Sequence, residues 1–300
     1  MIRYSIKMLM LAGLILFTGA IPFNSKKLTA SRQVEVTYIA NEGFLIETGN
    51  KKILIDALFG PEEFSFCETP DKLQMQKMTR ACGAFSDVDL VAATHNHRDH
   101  FHAPFVSKHL LKNEEACLVS TEQSAGELRR LPDYEVFKNR IKTLAPDQNK
   151  FIDTLANGIA IRAYRLQHGP YFVEDSLTGE KIDKHRNVQN LGFLFNINGI
   201  KIFHSGDSSP KCREDYEHFN MEEENIDIAF LGRSFVWEAE KERLKFLKKH
   251  INPNHIILMH IHPNNIDRFK ETAQSITELF PNITIFEKRM MKKTFYIHEN

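Results

Sequence analysis

The 300-residue chain carries no excess of charge of either sign, because Lys and Arg together number 39 and Asp and Glu also number 39. Nucleic-acid enzymes usually show a basic excess or a basic stripe, and the most basic run here, Lys288 to Lys293, is short. We therefore expect no nucleic-acid partner. Repeats and low-complexity tracts are also missing, and 42% hydrophobic with 26% charged residues is an ordinary globular balance.

Cysteine is scarce. The four residues Cys67, Cys82, Cys117 and Cys212 do not have the spacing of a metal ribbon. Two interpretations stay open: Cys67 and Cys82, which flank a candidate helix, form a disulfide in an oxidising compartment, or all four are unpaired thiols. No cysteine stands directly after the N-terminal apolar run, which argues against a lipid-modified N-terminus.

That run is the one long uncharged stretch of the sequence. Arg3 and Lys7 precede it, Met8 to Phe23 carries no charge, and Thr18-Gly19-Ala20 offers small residues for cleavage. This layout predicts a cleaved signal peptide over residues 1–20, a linker over 21–31 and export to the periplasm or the medium. The run is short for a transmembrane helix. An uncleaved anchor that keeps the protein near a membrane is the alternative.

The rest of the chain alternates between strand and helix patterns. Three short apolar runs, Val34 to Ile39, Gly43 to Thr48 and Lys52 to Asp56, predict a β-meander. Strands and helices then alternate, and a charged amphipathic helix is predicted over Trp237 to His250. This order indicates an α/β fold with two packed sheets and helices outside. We see no internal linker, so residues 32–300 are predicted to form one domain of two similar halves.

The most informative segment is His95-Asn-His-Arg-Asp-His100, which follows a predicted buried strand. Residues 95 and 97 point to one side of an extended backbone, and Asp99 and His100 can face a second point nearby. Imidazole and carboxylate are the usual ligands of Zn²⁺ and related ions. Three histidines and one acid within six residues therefore predict a metal centre.

Three later strands each end in a further residue of ligand type. They supply His168, Asp207 and His260. A single histidine or acid at a strand end is ordinarily a surface or turn residue. In this order, behind the histidine-rich segment, the three indicate more ligands of the same centre.

This set of residues resembles the metallo-β-lactamase superfamily. Its H-x-H-x-D-H motif stands here as HNHRDH, and the opening meander Tyr38 to Glu47, with Asp56 closing the third strand, is also similar. The resemblance covers nearly all of residues 34–298. It implies a four-layer αβ/βα sandwich with metal ions at one edge.

The resemblance also implies a ligand set. One ion is assigned to His95, His97 and His168, a second to Asp99, His100 and His260, and Asp207 is assigned as the bridge. His262 competes with His260 for the last position. Zn²⁺ is the first choice for both ions, with Mn²⁺ or Fe as alternatives. The two ions would share a hydroxide as nucleophile, which gives Asp99 and Asp207 the catalytic roles.

The acid at position 207 argues against β-lactam hydrolysis, since zinc β-lactamases lack an acid bridge. The chain is most similar to the ascorbate-6-phosphate lactonase-like and N-acylphosphatidylethanolamine phospholipase D-like branch. This implies hydrolysis of an ester-type bond (lactone, carboxylic ester or phosphodiester) in a small molecule or lipid. Arg98, Tyr171 and His262 are predicted to bind that substrate. A non-catalytic metal-binding protein and a mono-iron persulfide dioxygenase are the alternative functions.

Overall fold

Two seven-stranded sheets form the centre of the fold. The computed structural model describes residues 32–60 and 62–297, and these all belong to one compact unit. The predicted signal peptide and linker lie outside the described residues. Between residues 32 and 297, no described helix has the length and apolar character needed to cross a membrane.

The first sheet contains the predicted meander. Its strands, in spatial order, are β16 (Lys292–Tyr296), β1 (Gln33–Ala40), β2 (Gly43–Thr48), β3 (Lys51–Ile55), β4 (Leu90–Ala92), β5 (Cys117–Ser120) and β6 (Ile141–Thr143). The meander strands and β16 pair antiparallel, whereas β3 to β6 run parallel.

The second sheet is built from the second half of the chain. Its strands, in spatial order, are β15 (Ile283–Ile285), β14 (His255–Met259), β13 (Ile228–Gly232), β12 (Ile200–His204), β11 (Leu191–Ile197), β8 (Ile159–Arg165) and β7 (Phe151–Ala156). Strands β12 to β15 are parallel. A separate hairpin, β9 (Phe172–Glu174) with β10 (Lys181–Asp183), lies in the stretch after His168.

Helices cover the outer face of each sheet. They are α1 (Lys72–Thr79), α2 (Ala103–Lys112), α3 (Glu122–Leu128), α4 (Tyr134–Phe137), α5 (Arg213–Glu217), α6 (Lys241–His250) and α7 (Ile266–Ser275). Leu45 and Leu54 of the first sheet pack with Leu110 of α2. Phe203 of the second sheet packs with Leu247 of α6 and Phe269 of α7.

The alternation of side chains along the strands explains the layers. Phe44 and Ile46 of β2 point into the core between the sheets, whereas Leu45 points toward the helices. The second sheet alternates in the same way, with Ile257 of β14 inward and Leu258 outward. Apolar residues on both faces of the strands therefore bury two helix layers against two sheets. The predicted four-layer αβ/βα sandwich is confirmed.

Some local predictions were wrong. The helix predicted from Trp237 starts only at Lys241, because Trp237 is extended and Glu238 has a φ of 56°. Strands β6 and β7 and helices α4 and α5 were not predicted. Both Cys67 and Cys82 are free thiols, so the disulfide interpretation is not supported.

Candidate metal centre

The histidine-rich segment forms a tight turn directly after β4. The backbone N–H groups of His100 and Phe101 both donate to the carbonyl of His97, at 3.0 and 2.9 Å. This turn reverses the chain after His97, so Asp99 and His100 face a different point from the first two histidines. His95, Asp99 and His100 are buried.

His95 and His97 converge with His168, which follows β8. One donor atom of each, and one of Asp207, lie within 4.8 Å of one another. His168 Nε2 lies 3.1 Å from His97 Nδ1 and 3.0 Å from Asp207 Oδ2. These three histidines form the first trio.

Asp99, His100 and His260 form the second trio, with donor atoms that again lie within 4.8 Å of one another. The Oδ2 atom of Asp99 lies 3.5 Å from His100 Nε2 and 3.9 Å from His260 Nε2. His260 stands just beyond β14 in left-handed backbone, with a φ of 59°.

Asp207 stands between the trios and presents one oxygen to each. Oδ2 faces the first trio, at 3.9 Å from His95 Nε2 in addition to the His168 contact. Oδ1 faces the second trio, at 3.3 Å from His100 Nε2 and 3.8 Å from His260 Nε2. A carboxylate in this position can bridge two cations.

Gly206 allows Asp207 to reach this position. Its φ is +53°, and a Cβ atom there would lie 2.4 Å from Asn190 Oδ1 and 2.8 Å from Thr94 Cβ. Glycine is therefore required for both backbone conformation and space. Asn190 Oδ1 accepts from the Asp207 N–H at 3.1 Å, and the Asp207 carbonyl accepts from Gly169 N–H at 2.7 Å. Asp207 is thus connected to the loop that carries His168.

Asp56, at the end of β3, orients the histidines from behind. Its Oδ2 lies 2.9 Å from His100 Nδ1 and accepts from Thr94 Oγ1 at 2.6 Å, and its Oδ1 accepts from Thr94 N–H at 2.8 Å. Thr94 Oγ1 in turn lies 3.0 Å from His95 Nδ1. Both rings are held by Nδ1, which leaves their Nε2 atoms turned toward Asp207.

The donor atoms fit a bound cation. His95 Nε2, His100 Nε2 and Asp207 Oδ1 are buried and have no hydrogen-bond partner among residues 32–60 and 62–297. Buried polar atoms ordinarily have partners, and three unpartnered ones that converge are the arrangement a metal ion satisfies. The nitrogen and oxygen donors suit Zn²⁺, Mn²⁺ or Fe²⁺.

Two of the histidines stay neutral at neutral pH in the metal-free protein. Burial, followed by the nearby His100, lowers the pKa of His95 well below its ordinary value. Burial and the neighbouring His168 lower the pKa of His97 to about 4. Neutral imidazole is the form that binds metals, so these side chains need not lose a proton to do so.

The family model described as the beta-lactamase superfamily domain matches residues 35–260. This range includes the six residues of the two trios and Asp207. The chain belongs to the β-lactamase superfamily.

Several proteins that are similar to this chain carry the name of a metal-dependent hydrolase. A metal-dependent hydrolase from Polaromonas sp. is 26% identical over 188 residues, which are 60% of each chain. Igni18, a metallo hydrolase from Ignicoccus hospitalis, matches with a TM-score of 0.55 at 18% identity, over 89% of this chain and all of its own. A possible metal-dependent hydrolase from Veillonella parvula matches with a TM-score of 0.57 at 13% identity, over 88% of this chain and all of its own. The predicted family is confirmed, and the chain spans only about 60% of the length of the curated hydrolase it matches.

In the structure, the three predicted substrate-binding residues, Arg98, Tyr171 and His262, lie at the edge of the metal centre or away from it. Arg98 is exposed and pairs with Glu62 at 2.6 Å. Tyr171 is also exposed, and its ring lies 5.5 Å from that of His185. His262 Nδ1 accepts from Asn264 N–H at 3.1 Å and so caps the turn before α7. Their roles in substrate binding stay predictions.

A cavity of about 410 Å³ opens beside Asp207 and His260. Its lining includes Arg233 and four side chains that no sequence pattern singled out: Glu42, Lys211, Trp237 and Arg243. His185 was also missed. Its ring lies 4.0 Å from that of His168 and covers the first trio on the hairpin side. No motif marks these residues, since they come from separate loops.

We expect His260→Ala to lose about one metal equivalent and His262→Ala to keep both. His260 directs Nε2 toward the carboxylates of Asp99 and Asp207. Without this imidazole, one metal position would lack a protein ligand and would bind its ion less tightly. The two histidines do not share one extended strand, because β14 ends at Met259. Elemental analysis of both variants after loading and gel filtration would check this. The reverse pattern would assign the ligand to His262.

Proposed function

We propose that this superfamily member is a dinuclear metal-dependent hydrolase of an ester-type bond in a small molecule or lipid. The observation that carries the proposal is the position of Asp207, with one oxygen toward each trio of donors. A site for a single ion would need only one trio. Complete trios on both sides of a shared carboxylate favour two ions over the mono-iron dioxygenase.

The chain's own residues would hold and orient the reacting groups. Bound between the trios, two ions would supply Lewis acidity and a water of lowered pKa. Asp56 and Thr94 keep the rings of His100 and His95 fixed, so the donor atoms need little reorganisation. Asp207 lies between the two trios, and Asp99 belongs to the second. They are our candidates for accepting a proton during hydrolysis.

The cavity favours a substrate that carries an anionic group. Lys211, Arg233 and Arg243 all line it. Arg243 is occupied by Glu240 and the Ser234 carbonyl, and Arg233 contacts the carbonyl and ring of His260. Among the described residues, Lys211 Nζ has neither a hydrogen bond nor an ion pair. A free ammonium group beside an ester site suits a phosphate or carboxylate.

The test is a combined metal and substrate measurement on the loaded protein. Elemental analysis should give about two equivalents. A panel of lactones, carboxylic esters and phosphodiesters should include a hydrolysed member, with anionic members preferred over neutral analogues. A single equivalent would overturn the dinuclear proposal. Two equivalents without turnover of any ester would instead support the non-catalytic alternative.

The charge preference has a matched control. Lys211→Ala should raise KM for the anionic ester by about tenfold, since a charge-assisted hydrogen bond contributes roughly 1.5–3 kcal/mol, and should leave the neutral ester unaffected. Lys249→Ala removes the same charge from an exposed position at the end of α6 and should change neither. Equal effects of Lys211→Ala on both esters would contradict the preference.

A further inference from the structure

Glu42 is the residue at the centre that no motif accounts for. It lies in the turn between β1 and β2, and its side chain is buried, at 1% exposure. A buried carboxylate is costly unless it is paired, hydrogen-bonded or bound to a metal. Glu42 Oε2 has no hydrogen-bond partner among the described residues.

The backbone of this turn is fixed onto the centre. His204 Nε2 donates to the Glu42 carbonyl at 3.1 Å, while His204 Nδ1 accepts from Gly206 N–H at 3.1 Å. The N–H of His260 donates to the Asn41 carbonyl at 3.4 Å. His204 uses both ring nitrogens in this way and is not a ligand. It ties the turn that carries Glu42 to the segment that carries Asp207.

The Glu42 side chain extends toward the second trio. One donor atom each of Glu42, Asp207 and His260 lie within 4.8 Å of one another. Glu42 also lines the cavity beside Asp207 and His260. Two buried carboxylates in this proximity repel unless one of them is protonated or a cation lies between them.

We propose that Glu42 is an eighth donor, which binds the ion held by Asp99, His100 and His260. The inference rests on the proposed dinuclear function and goes beyond it, since it makes the two positions chemically unequal. The first position has three imidazoles and one carboxylate oxygen. The second has carboxylates from Asp99, Asp207 and Glu42 with two imidazoles, and carboxylate-rich sites suit harder ions such as Mn²⁺.

The experiment measures Mn²⁺ binding rather than activity. The full chain, freed of metal and loaded with one equivalent of Zn²⁺, is titrated with Mn²⁺ and followed by electron paramagnetic resonance. Glu42→Gln should weaken Mn²⁺ binding at least about tenfold, since even partners outside the ligand shell contribute 10–100-fold. The first Zn²⁺ equivalent should bind as tightly as in the wild type. Mn²⁺ affinity equal to wild type in Glu42→Gln would overturn the proposal.

Two further variants keep the result interpretable. Glu47→Gln makes the same change on β2, where Glu47 pairs with Lys292 on the surface, and should leave Mn²⁺ binding unaltered. Glu42→Asp keeps a carboxylate on a shorter stem and should fall between wild type and Glu42→Gln. If the Glu42→Gln variant does not fold, the Glu42→Asp variant tests the proposal instead. An Mn²⁺ affinity of Glu42→Asp equal to that of the wild type would contradict direct ligation by Glu42.

The failure of this inference is distinct from the failure of the proposed function. A wild-type protein that binds one ion in total would overturn the dinuclear function itself. A wild-type protein that binds two ions, beside a Glu42→Gln variant with unchanged Mn²⁺ affinity, would overturn only the role of Glu42.

Discussion

Asp207→Ala is expected to reduce kcat/KM for the best ester by about a thousandfold or more and to lower the metal content below two equivalents. Asp207 is the residue whose two oxygens face both trios. Its loss would separate the trios and leave the donor atoms His95 Nε2 and His100 Nε2 without a shared carboxylate. Loss of a single stabilising group at a preorganised site commonly costs about 10²–10³ in rate, and here the metal arrangement is lost as well.

Steady-state kinetics together with elemental analysis would check this. Asp227 provides the control, because it is also a buried acid of the second half but accepts a hydrogen bond from Lys201 N–H far from the trios. Asp227→Asn should keep both ions and most of the activity. If Asp207→Ala retained two ions and full activity, the assignment of the bridge would be wrong.

Asp56→Ala is expected to have the largest effect on stability. Thr94 N–H, Thr94 Oγ1 and the His100 ring all lose their acceptor in a buried position. Each unsatisfied buried donor costs about 1–3 kcal/mol, so we expect a loss of about 3–5 kcal/mol of unfolding free energy. Asp56 also has a φ of 43°, which alanine adopts poorly.

Urea unfolding of the metal-free protein, followed by metal titration of the variants, would measure both consequences. Asp56→Asn is the matched change, since asparagine tolerates the left-handed backbone and can still accept from Thr94 N–H. It should lose less stability than alanine and weaken metal binding by about 10–100-fold, because His100 is no longer oriented. Wild-type stability in the alanine variant would show that Asp56 is not the structural partner of His100.

The sequence predicted the convergence of the candidate ligands most directly where they are close together in the chain. His95 to His100 follow a buried strand, and the strand direction alone places them at one edge of the sheet. Asp207 and His260 were selected because each follows a predicted strand, and in the structure the parallel strands β12 and β14 bring these strand ends to one edge of the second sheet. Ligands bind beyond the carboxyl ends of strands in such sheets, and this rule can be applied before the fold is known.

The cavity could not be predicted in the same way. Glu42 follows Asn41 in a β-turn, and a polar pair at that position looks like ordinary turn chemistry. Lys211 and Arg243 reach the cavity from different segments, so no spacing in the sequence relates them. Arg98 is adjacent to ligands in sequence, yet its side chain points to Glu62 at the surface. Neighbourhood in sequence does not specify side-chain direction.

The seven candidate ligands are divided between the two sheets, with four in the loop after β4 and three after strands of the second sheet. Ions that bind them are therefore non-covalent cross-links between the halves of the chain. An unfolded chain would have to close a very long loop, from His95 to His260, to offer the same set, so tight binding belongs to the native state alone. Each site occupied at a thousandfold excess over its Kd would then add about 4 kcal/mol of stability. If two ions bind as proposed, the folding equilibrium of this protein depends on the supply of free metal around it as well as on its core.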